Sequence, residues 1–245
     1  MKTAACICWH CGSSTFKRVN DIRVIHLEKR SGIGAVRNVA LRDCKAEYIA
    51  FCDVDCVPDK NWLEELARGI ERSQAIGVGG QLVERLSPRA TDLWRAEHLQ
   101  QTINTIEREV EFLPGCNTLY KVKELIESGG FNDECVYHHE DTELGRRLTA
   151  EGKKLVFIPT AKTNHAKYDT VYSVMRSMWG FRHDKPILSF RELVIDVFRS
   201  DLHALKLFTK DLLSGKFKLL GLDMVCYAYQ IYFSYKSYRL KSTAF

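Results

Sequence analysis

The most informative segment of this chain for its fold is Tyr48–Asp55, with the sequence Tyr-Ile-Ala-Phe-Cys-Asp-Val-Asp. Its first five residues are continuously apolar, which is typical of a strand buried on both faces of a sheet. Two carboxylates, Asp53 and Asp55, follow directly. Open α/β sheets bind ligands beyond the carboxyl ends of their strands. The stretch therefore predicts an acidic ligand site at the end of a central strand.

Strands and helices are predicted to alternate on both sides of this stretch. Apolar periodicity indicates helices at Ala35–Cys44, Asn61–Arg72 and Asp141–Glu151, and strands at Ile22–Leu27, Ile76–Gly80 and Lys154–Ile158, the last ended by Pro159. Consecutive strands that are connected through helices imply parallel pairing with right-handed crossovers. The elements together predict an α/β fold.

The composition is that of a globular protein. The chain has 245 residues, of which 45% are hydrophobic and 27% charged, enough for one large α/β domain with an appendage or two small domains. The net charge of +5 favours phosphate-bearing ligands or an anionic membrane, and it equally fits a solvated, slightly basic surface. No basic run with interleaved aromatic residues indicates nucleic-acid binding.

The cysteines argue against a disulfide framework. There are nine of them, an odd number, and the first twenty residues contain no apolar signal segment. Both observations favour a reducing environment. We therefore expect a cytoplasmic protein.

A C-terminal segment, Leu219–Tyr235, is mostly apolar. It contains Asp223 and Gln230 and falls just short of the length that spans a membrane. Basic residues flank it on both sides. Two interpretations stay open: a helix that lies on a membrane surface, at the inner face of the cell membrane, or a helix that packs on the preceding domain.

The aspartates at the end of the first stretch are hard oxygen ligands. Such ligands suit Mg²⁺ or Mn²⁺, which keep several waters and bridge to phosphate oxygens. Asp53 and Asp55 therefore predict a metal-diphosphate site, where the ion would act as a Lewis acid toward a departing diphosphate. The alternative is a chance pair of surface carboxylates.

Gly32-Ile33-Gly34, followed by Arg37 and Asn38, forms a second candidate ligand segment. Glycines before a helix allow the backbone to approach a ligand, and the helix N-terminus favours anions. The longer dinucleotide fingerprint is excluded because no third glycine stands at the required spacing. The alternative is a plain strand-to-helix turn with a surface arginine.

Six motifs, in order and at matching spacing, resemble family 2 of the glycosyltransferases. They are Gly32–Ala40, Glu47–Pro58, Trp62-Leu63, Gly115–Asn117, Gly129–Phe131 and Glu140–Leu148. The resemblance extends from Ile22 to His165 and implies the GT-A fold, a Rossmann-like mixed sheet flanked by helices. Residues 1–185 would form this domain, and residues 186–245 a helical C-terminal appendage.

The resemblance implies roles for the matching residues. Asp53 and Asp55 would contact the ribose of the sugar nucleotide and the metal, with Asp55 as the direct ligand. Arg37 would lie near the nucleotide, and Asn117 would line the donor-sugar or acceptor pocket. The predicted donor-binding set is Gly34, Arg37, Asn38, Asp53, Asp55 and Asn117.

The adjacent pair Glu140-Asp141 matches the position where the acceptor hydroxyl enters in this family, and Asp141 resembles the catalytic base. A carboxylate within hydrogen-bond reach can take the proton of an attacking sugar hydroxyl, which suits an inverting single displacement. Repulsion between neighbouring carboxylates can raise the pKa of one of them. The alternative role, stabilising the N-terminus of the following helix, is compatible with catalysis.

Three further residues complete the predicted site. His165 matches a histidine that some related enzymes use as a further metal ligand, although a lone histidine is more often structural or exposed. Trp179 and Arg182 occupy the place of an acceptor-side segment. Aromatic side chains there would either stack on sugar faces or pack in the core.

The N-terminus departs from the family pattern. The residues before Ile22 are too few for the usual first strand, helix and second strand, so we expect a truncated nucleotide-base pocket and an unpaired sheet edge. Cys11–Thr15 matches a remnant of the second loop. The stretch Cys6–Cys11, Cys-x-Cys-x-His-Cys, is alternatively half of a zinc site, but no second pair of ligands follows nearby.

We therefore predict a glycosyltransferase that moves a hexose from a UDP- or GDP-sugar to a glycan or lipid-linked acceptor. Its cofactor would be Mn²⁺ or Mg²⁺, and its process polysaccharide or cell-envelope synthesis. Two alternatives come from other classes: a catalytically inactive relative that binds a partner, and a sugar nucleotidyltransferase. The latter lacks its early glycine-rich loop and signature lysine here.

Overall fold

The computed structural model describes residues 25, 27, 31–84, 88–99, 105–135, 139–183 and 185–241. The chain forms two compact units: unit 1 comprises Met1–Val83 and Gln101–Ala166, and unit 2 comprises Glu84–Gln100 and Lys167–Phe245. The domain division at residue 185 stays a prediction. The predicted loop remnant and half zinc site lie outside the described residues, as does most of the strand predicted at Ile22–Leu27.

Unit 1 combines strands and helices, and unit 2 is helical. In chain order the elements are α1 (Ile33–Asp43), β1 (Tyr48–Cys52), β2 (Cys56–Pro58), α2 (Trp62–Ser73), β3 (Gly77–Glu84), α3 (Ala90–His98), β4 (Arg108–Glu109), β5 (Asn117–Lys121), α4 (Val122–Glu127), α5 (Glu140–Ala150), β6 (Leu155–His165), α6 (Val171–Arg182), α7 (Phe190–Leu213) and α8 (Leu220–Leu240). Helices α3, α6, α7 and α8 belong to unit 2.

Six strands form one sheet in the order β1-β5-β3-β6-β2, with β4 paired to β6. β5 pairs antiparallel with β1, where Tyr48 faces Lys121 and Cys52 faces Asn117, and it also pairs antiparallel with β3. β1 and β3 thus run in the same direction but are not neighbours, so the predicted parallel pairing of these consecutive strands is wrong. A strand from much later in the chain lies between them, and local periodicity carries no signal of such an insertion.

The sheet contains strands of both directions and carries helices of unit 1 on its faces. The predicted fold class, a mixed α/β sheet flanked by helices and followed by C-terminal helices, is confirmed. Helices α1, α2 and α5 begin and end within two residues of the predicted bounds.

The strand that was predicted to end at Pro159 continues to His165, so this prediction is wrong. β6 pairs with β4 at Val156 and Phe157 and with β2 from Thr163 onward, and Pro159 lies between these two stretches. A proline lacks an N–H donor, but its φ suits extended chain. A strand can therefore pass through it.

The core of unit 1 lies on both faces of the sheet. Ala50 of β1 packs in one hydrophobic cluster with Leu66 of α2, whereas Ile49 and Phe51 pack in the other with Leu144 of α5. Burial on both faces explains why β1 is apolar at successive positions. Each fully buried large apolar side chain contributes about 1.5–3 kcal/mol. The core therefore anchors the strand that carries Asp53 from both sides.

Unit 2 has a core of its own. It joins Trp94 of α3, Trp179 of α6 and Phe233 of α8. α8 covers all but the first residue of the apolar segment predicted at Leu219–Tyr235, and its buried Cys226 and Phe233 belong to this core. In the parts of the chain that the structure describes, no helix has the length and apolar character needed to cross a membrane.

Candidate active site

One buried arginine, Arg37 of α1, joins the end of β1 to the start of α5. Its Nη1 donates to Glu140 Oε1 over 2.6 Å, and its Nη2 donates to Asp53 Oδ1 over 3.3 Å. The guanidinium lies over the rings of Phe51 and Phe131, 5.7 and 5.4 Å from their centroids. Because Arg37 is buried, the alternative interpretation of this segment, a plain turn with a surface arginine, is wrong. Arg37, Asp53 and Glu140 are called the Arg37 cluster below.

Burial and charge oppose each other within the Arg37 cluster. Burial alone would lower the pKa of Arg37, but its acidic neighbours, led by Glu140 and Asp53, raise it. Burial raises the pKa of Glu140, an effect that Arg37 opposes and Asp141 reinforces. Partial burial likewise raises the pKa of Asp53, with Arg37 opposing and Asp55 reinforcing. The two carboxylates therefore depend on Arg37 to remain ionised.

Asp141, the predicted base, is held by two backbone N–H groups. Its Oδ2 accepts from Gly115 over 3.1 Å, and its Oδ1 accepts from Thr142 over 2.7 Å. Asp141 is partly exposed, whereas Glu140 is buried and ion-paired. Asp141 is therefore the carboxylate of the pair that a ligand can reach. Both residues also lie in the first turn of α5, where negative charge favours the helix.

Gly115 belongs to this site, although the sequence analysis did not select it as a site residue. A Cβ added there would lie 2.4 Å from both Nη atoms of Arg37, closer than side chains permit. The glycine lets the loop before β5 approach the guanidinium while its N–H holds Asp141. A usable signal was present in the sequence, because the glycine follows Pro114 in a short loop before a strand.

Asp55 and His165, two of the predicted metal ligands, come together across β2 and β6. These strands are antiparallel with Cys56 opposite His165, which brings His165 beside the residue that precedes Cys56. His165 Nε2 lies 3.4 Å from Asp55 Oδ2. The N–H of Ala166 also donates to the Asp55 carbonyl over 2.7 Å. The sheet itself therefore positions both side chains.

The chemistry of the Asp55–His165 pair fits a divalent cation. Two atoms that each lie about 2.1 Å from one ion, at right angles, are about 3.0 Å apart, which is near the observed 3.4 Å. One oxygen and one nitrogen leave further positions for water and phosphate oxygens. The Asp55 carboxylate is about one-third exposed, so a diphosphate can approach it. Asp53 pairs with Arg37, and its role as a metal ligand stays a prediction.

Gly34 and Asn38 hold the turn that follows α4 against α1. Asn38 Nδ2 donates to the Phe131 carbonyl and to Asp133 Oδ1, both over 2.7 Å, and Asn38 Oδ1 accepts the Phe131 N–H over 2.8 Å. A Cβ at Gly34 would lie 2.6 Å from the Asn132 carbonyl oxygen. These contacts give both residues a structural role, and their predicted role in donor binding stays a prediction.

Asn117 is buried at the start of β5, and both ends of its amide are hydrogen-bonded. Its Nδ2 donates to the carbonyls of Gln81 and Ala161 over 3.2 and 3.0 Å, and its Oδ1 accepts from Trp62 Nε1 over 2.6 Å. The amide thus ties β5 to β3, β6 and α2. Its predicted place in a sugar pocket stays a prediction.

Trp179 and Arg182, the predicted acceptor-side residues, lie on α6. Trp179 is buried, its Nε1 donates to Ser234 over 2.9 Å, and its ring stacks on His183 at 4.2 Å. Arg182 Nη1 donates to Gln230 Oε1 over 2.9 Å. These contacts agree with core packing for Trp179, and an acceptor-side role stays a prediction for both residues.

Several known proteins are similar to this chain in sequence. The pre-mycofactocin glycosyltransferase of Mycobacterium tuberculosis (strain ATCC 25618 / H37Rv) is 29% identical over 153 residues, which cover 59% of this chain and 32% of that protein. The chondroitin synthase of Escherichia coli is 26% identical over 153 residues, with 48% and 22% covered. The N-acetylglucosaminyl-diphospho-decaprenol L-rhamnosyltransferase of the same mycobacterial strain is 31% identical over 74 residues, with 30% and 24% covered. The chain thus spans about a third or less of the length of these curated relatives.

Two solved structures are similar at lower identity. S. aureus TarS in complex with UDP-GlcNAc shows 20% identity and a TM-score of 0.44, with 64% of this chain and 49% of that chain covered. GalNAc-T7 with UDP, GalNAc and Mn2+ shows 18% identity and a TM-score of 0.47, with 58% and 31% covered. The profile of Glycosyl transferase family 2, however, matches residues 14–185, well over half of the chain, and the protein therefore belongs to this family.

Proposed function

We propose that this chain transfers a sugar from a nucleotide-diphospho-sugar to an acceptor hydroxyl. One observation carries the proposal: the buried Arg37 joins the acidic end of β1 and the acidic start of α5 in one cluster. Asp141 adjoins this cluster in a partly exposed position, and Asp55 faces His165 in the same unit. Sugar transfer needs a base and a means of neutralising the leaving group, and these residues supply both. Family membership supports the reaction class.

In the proposed reaction, the acceptor oxygen attacks the anomeric carbon as the bond from that carbon to the diphosphate oxygen breaks. Asp141 takes the proton of the attacking hydroxyl. The N–H groups of Gly115 and Thr142 fix its carboxylate, so that it is oriented before the acceptor binds. Arg37 engages Glu140, which leaves Asp141 as the carboxylate of the pair that meets the acceptor. A single displacement of this kind inverts the anomeric centre.

Asp55 and His165 would hold Mn²⁺ or Mg²⁺, which when bound neutralises charge on the departing diphosphate. Imidazole is a softer ligand than the oxygens that Mg²⁺ prefers, and this favours Mn²⁺. The donor is a UDP- or GDP-hexose. The names of two relatives, a chondroitin synthase and a decaprenol-linked rhamnosyltransferase, support a glycan or lipid-linked acceptor.

Turnover of a donor panel tests this proposal. The full chain is incubated with UDP- and GDP-hexoses and Mn²⁺, and release of the nucleoside diphosphate is measured. We expect release from at least one donor, and Asp141→Asn should lower its rate by about 10²–10⁴-fold. Glu143→Gln, which alters a carboxylate of the same helix that pairs with Arg147, is the matched control and should retain the rate.

Donor binding by calorimetry separates the possible outcomes. Micromolar binding that Asp141→Asn leaves intact, together with its lost turnover, supports a base that acts in the chemical step. An Asp141→Asn variant as active as the wild type contradicts the assignment of the base. Absence of both turnover and binding for every donor favours a catalytically inactive binding protein.

Helix α7 carries an exposed apolar stripe that suits a lipid-linked acceptor. Five large apolar side chains are exposed at intervals of three or four residues: Phe190, Val194, Phe198, Leu202 and Leu205. Exposed basic residues accompany the stripe at Arg191, Arg199 and Lys206. A helix of this character lies in a membrane interface, with its apolar side in the lipid and its cations near anionic headgroups. Peripheral contact with the cytoplasmic membrane face is therefore part of the proposal.

Flotation of the full chain with lipid vesicles tests the membrane contact. We expect the chain to float with anionic vesicles and less with neutral ones. The double variant Phe198→Glu and Leu202→Glu should reduce flotation several-fold, whereas Ile126→Glu, at an exposed apolar position of α4, should not. Equal flotation of both variants and the wild type would contradict a role for the stripe.

A further inference from the structure

A second group of ligand-type side chains lies in the core of unit 2. His98 ends α3, Asp211 lies on α7 and Asp223 lies on α8, and one nitrogen or oxygen of each lies within 4.8 Å of the other two. Within the described ranges, no other three acidic, histidine or cysteine side chains converge in this way. The three side chains are at most 1% exposed. They form a closed cluster of one imidazole and two carboxyl groups, called the His98 cluster below.

The His98 cluster holds more negative charge than its neighbours compensate. His98 Nε2 lies 2.8 Å from Asp211 Oδ2 and 3.8 Å from Asp223 Oδ1. The other two oxygens, Asp211 Oδ1 and Asp223 Oδ2, are buried and have no hydrogen-bond partner among the described residues. Even a protonated imidazole would leave two ionised carboxylates with a net negative charge in the interior, which is strongly unfavourable. The cluster therefore requires either a cation or additional protons.

We propose that the His98 cluster binds a structural zinc ion. Zinc takes histidine nitrogen and aspartate oxygen at about 2.0–2.1 Å, so two ligands of a tetrahedral ion lie about 3.3 Å apart. The two separations measured from His98 Nε2, 2.8 and 3.8 Å, bracket this spacing. A water would complete the four ligands.

The groups around the cluster suit a metal site. Trp94 Nε1 donates to Asp223 Oδ1 over 2.7 Å, and the Trp94 ring packs against the imidazole of His98 at 4.8 Å. Outer contacts of this kind orient ligating side chains. Because the ligands are buried and come from three helices, the ion would join α3, α7 and α8 and serve structure rather than catalysis.

Metal content and thermal stability of the full chain test the proposal. An Asp55→Asn background removes any contribution from the Asp55–His165 pair. We expect about one equivalent of zinc by mass spectrometry after dialysis against metal-free buffer. Tm should fall in EDTA and recover with Zn²⁺, and Co²⁺ substitution should give the visible absorption of a tetrahedral site. Protein that holds no metal and has the same Tm in EDTA and in Zn²⁺ overturns the proposal.

Replacement of the ligands gives a second test, in which the direction of the change in Tm is decisive. With Zn²⁺ present, Asp211→Asn and Asp223→Asn should each lower Tm and abolish the Co²⁺ spectrum. In EDTA the same changes should raise Tm, because they relieve repulsion between the carboxylates. Asp201→Asn, on α7 outside the cluster, is the matched control and should leave zinc content unchanged.

Variants that raise Tm in both conditions would indicate a pair of protonated carboxyl groups without a metal, and the proposal would fail. Should the asparagine variants not fold, the zinc dependence of the wild-type Tm and the Co²⁺ spectrum decide the question by themselves.

Discussion

The described part of the protein contains two buried arginines that each pair with more than one carboxylate: Arg95 in unit 2 and Arg37 in unit 1. The first belongs to a structural cluster and the second to a candidate site. Arg95 pairs with Glu84 at 3.0 Å, with Asp92 at 3.4 Å and with Asp169 at 2.7 Å. These carboxylate side chains are between 1% and 11% exposed. With every paired group covered, the contacts of Arg95 can only hold the fold together.

The Arg37 cluster is open on one side. Glu140 is as buried as Arg37 itself, but the side chain of Asp53 is 49% exposed. A charged group that an interior arginine holds at the surface can meet a ligand without a change in the fold. Both clusters contain a buried arginine, and the candidate site differs in that one of its carboxylates is exposed.

The largest effect on stability is expected from Arg95→Met. This change removes the guanidinium that pairs with the buried Asp92 and Asp169, although Lys167 still lies 3.6 Å from Asp169. Breaking such a buried pair costs about 3–5 kcal/mol of unfolding free energy. Urea unfolding measures the loss. Arg68→Met is the control, because the Arg68 side chain is 61% exposed, and it should cost at most about 1 kcal/mol. If Arg95→Met loses no more stability than the control, the structural role of the Arg95 cluster is contradicted.

Arg37→Met is expected to cost less stability, about 2–3 kcal/mol, because Asp53 can turn to water when it loses its partner. The proposed donor turnover should nevertheless fall by at least about 10²-fold, since Glu140 then lies unpaired beside Asp141. Unfolding and turnover are measured on the same preparation. Unchanged turnover with a stability loss equal to that of Arg95→Met would show that the two clusters are alike.

The smallest effect is expected from Asp196→Asn, on α7. Burial alone would raise the pKa of Asp196, but hydrogen bonds from His183 and Ser234 lower it. The pKa of Asp196 is lower in the folded state than in the unfolded state, where it is about 3.9. The ionised carboxylate therefore stabilises the fold at pH values above about 3.9, and this stabilisation is lost as the pH falls through the folded-state pKa. Asp196→Asn should therefore be about 1–2 kcal/mol less stable than the wild type at about pH 7. The difference should vanish near about pH 2.

Glu140→Gln extends the pH comparison to unit 1, where the sign is opposite. Burial raises the pKa of Glu140, so its protonated form favours the fold. That contribution is present below the unfolded value of about 4.3 and is lost as pH rises through the folded pKa. The wild type should therefore lose stability relative to Glu140→Gln over this rise in pH. Parallel pH profiles for the Asp196 and Glu140 variants would contradict the predicted difference between the two regions.

Much of the fold could be predicted because its signal is local. Burial on both faces makes β1 continuously apolar, and burial of one face spaces the apolar residues of α1 and α5 at helical intervals. The candidate acids could be named because they stand directly after β1 and in the first turn of α5. Pro159 shows the limit of such rules, since β6 continues through a residue that usually ends a strand.

The partners of polar side chains were much harder to predict. Asn38 and Asn117 matched donor-binding positions of the family, yet their amides bond to backbone groups of other elements. The type of a polar residue determines whether its side chain donates or accepts hydrogen bonds, but not which group of the chain becomes its partner. Gly115 stands in a recognisable loop before a strand, but its part in the site depends on how closely Arg37 approaches it.

The amino-acid sequence is sufficient to show that an apolar strand ends in two aspartates and that a later helix begins with two further carboxylates. The folded chain was needed to show that Arg37 joins these segments, that β5 separates β1 from β3, and that His98, Asp211 and Asp223 converge. The physical reason is that periodicity records which face of an element is buried. Strand order and charge pairing depend instead on contacts between residues far apart in the chain, and these leave no local pattern.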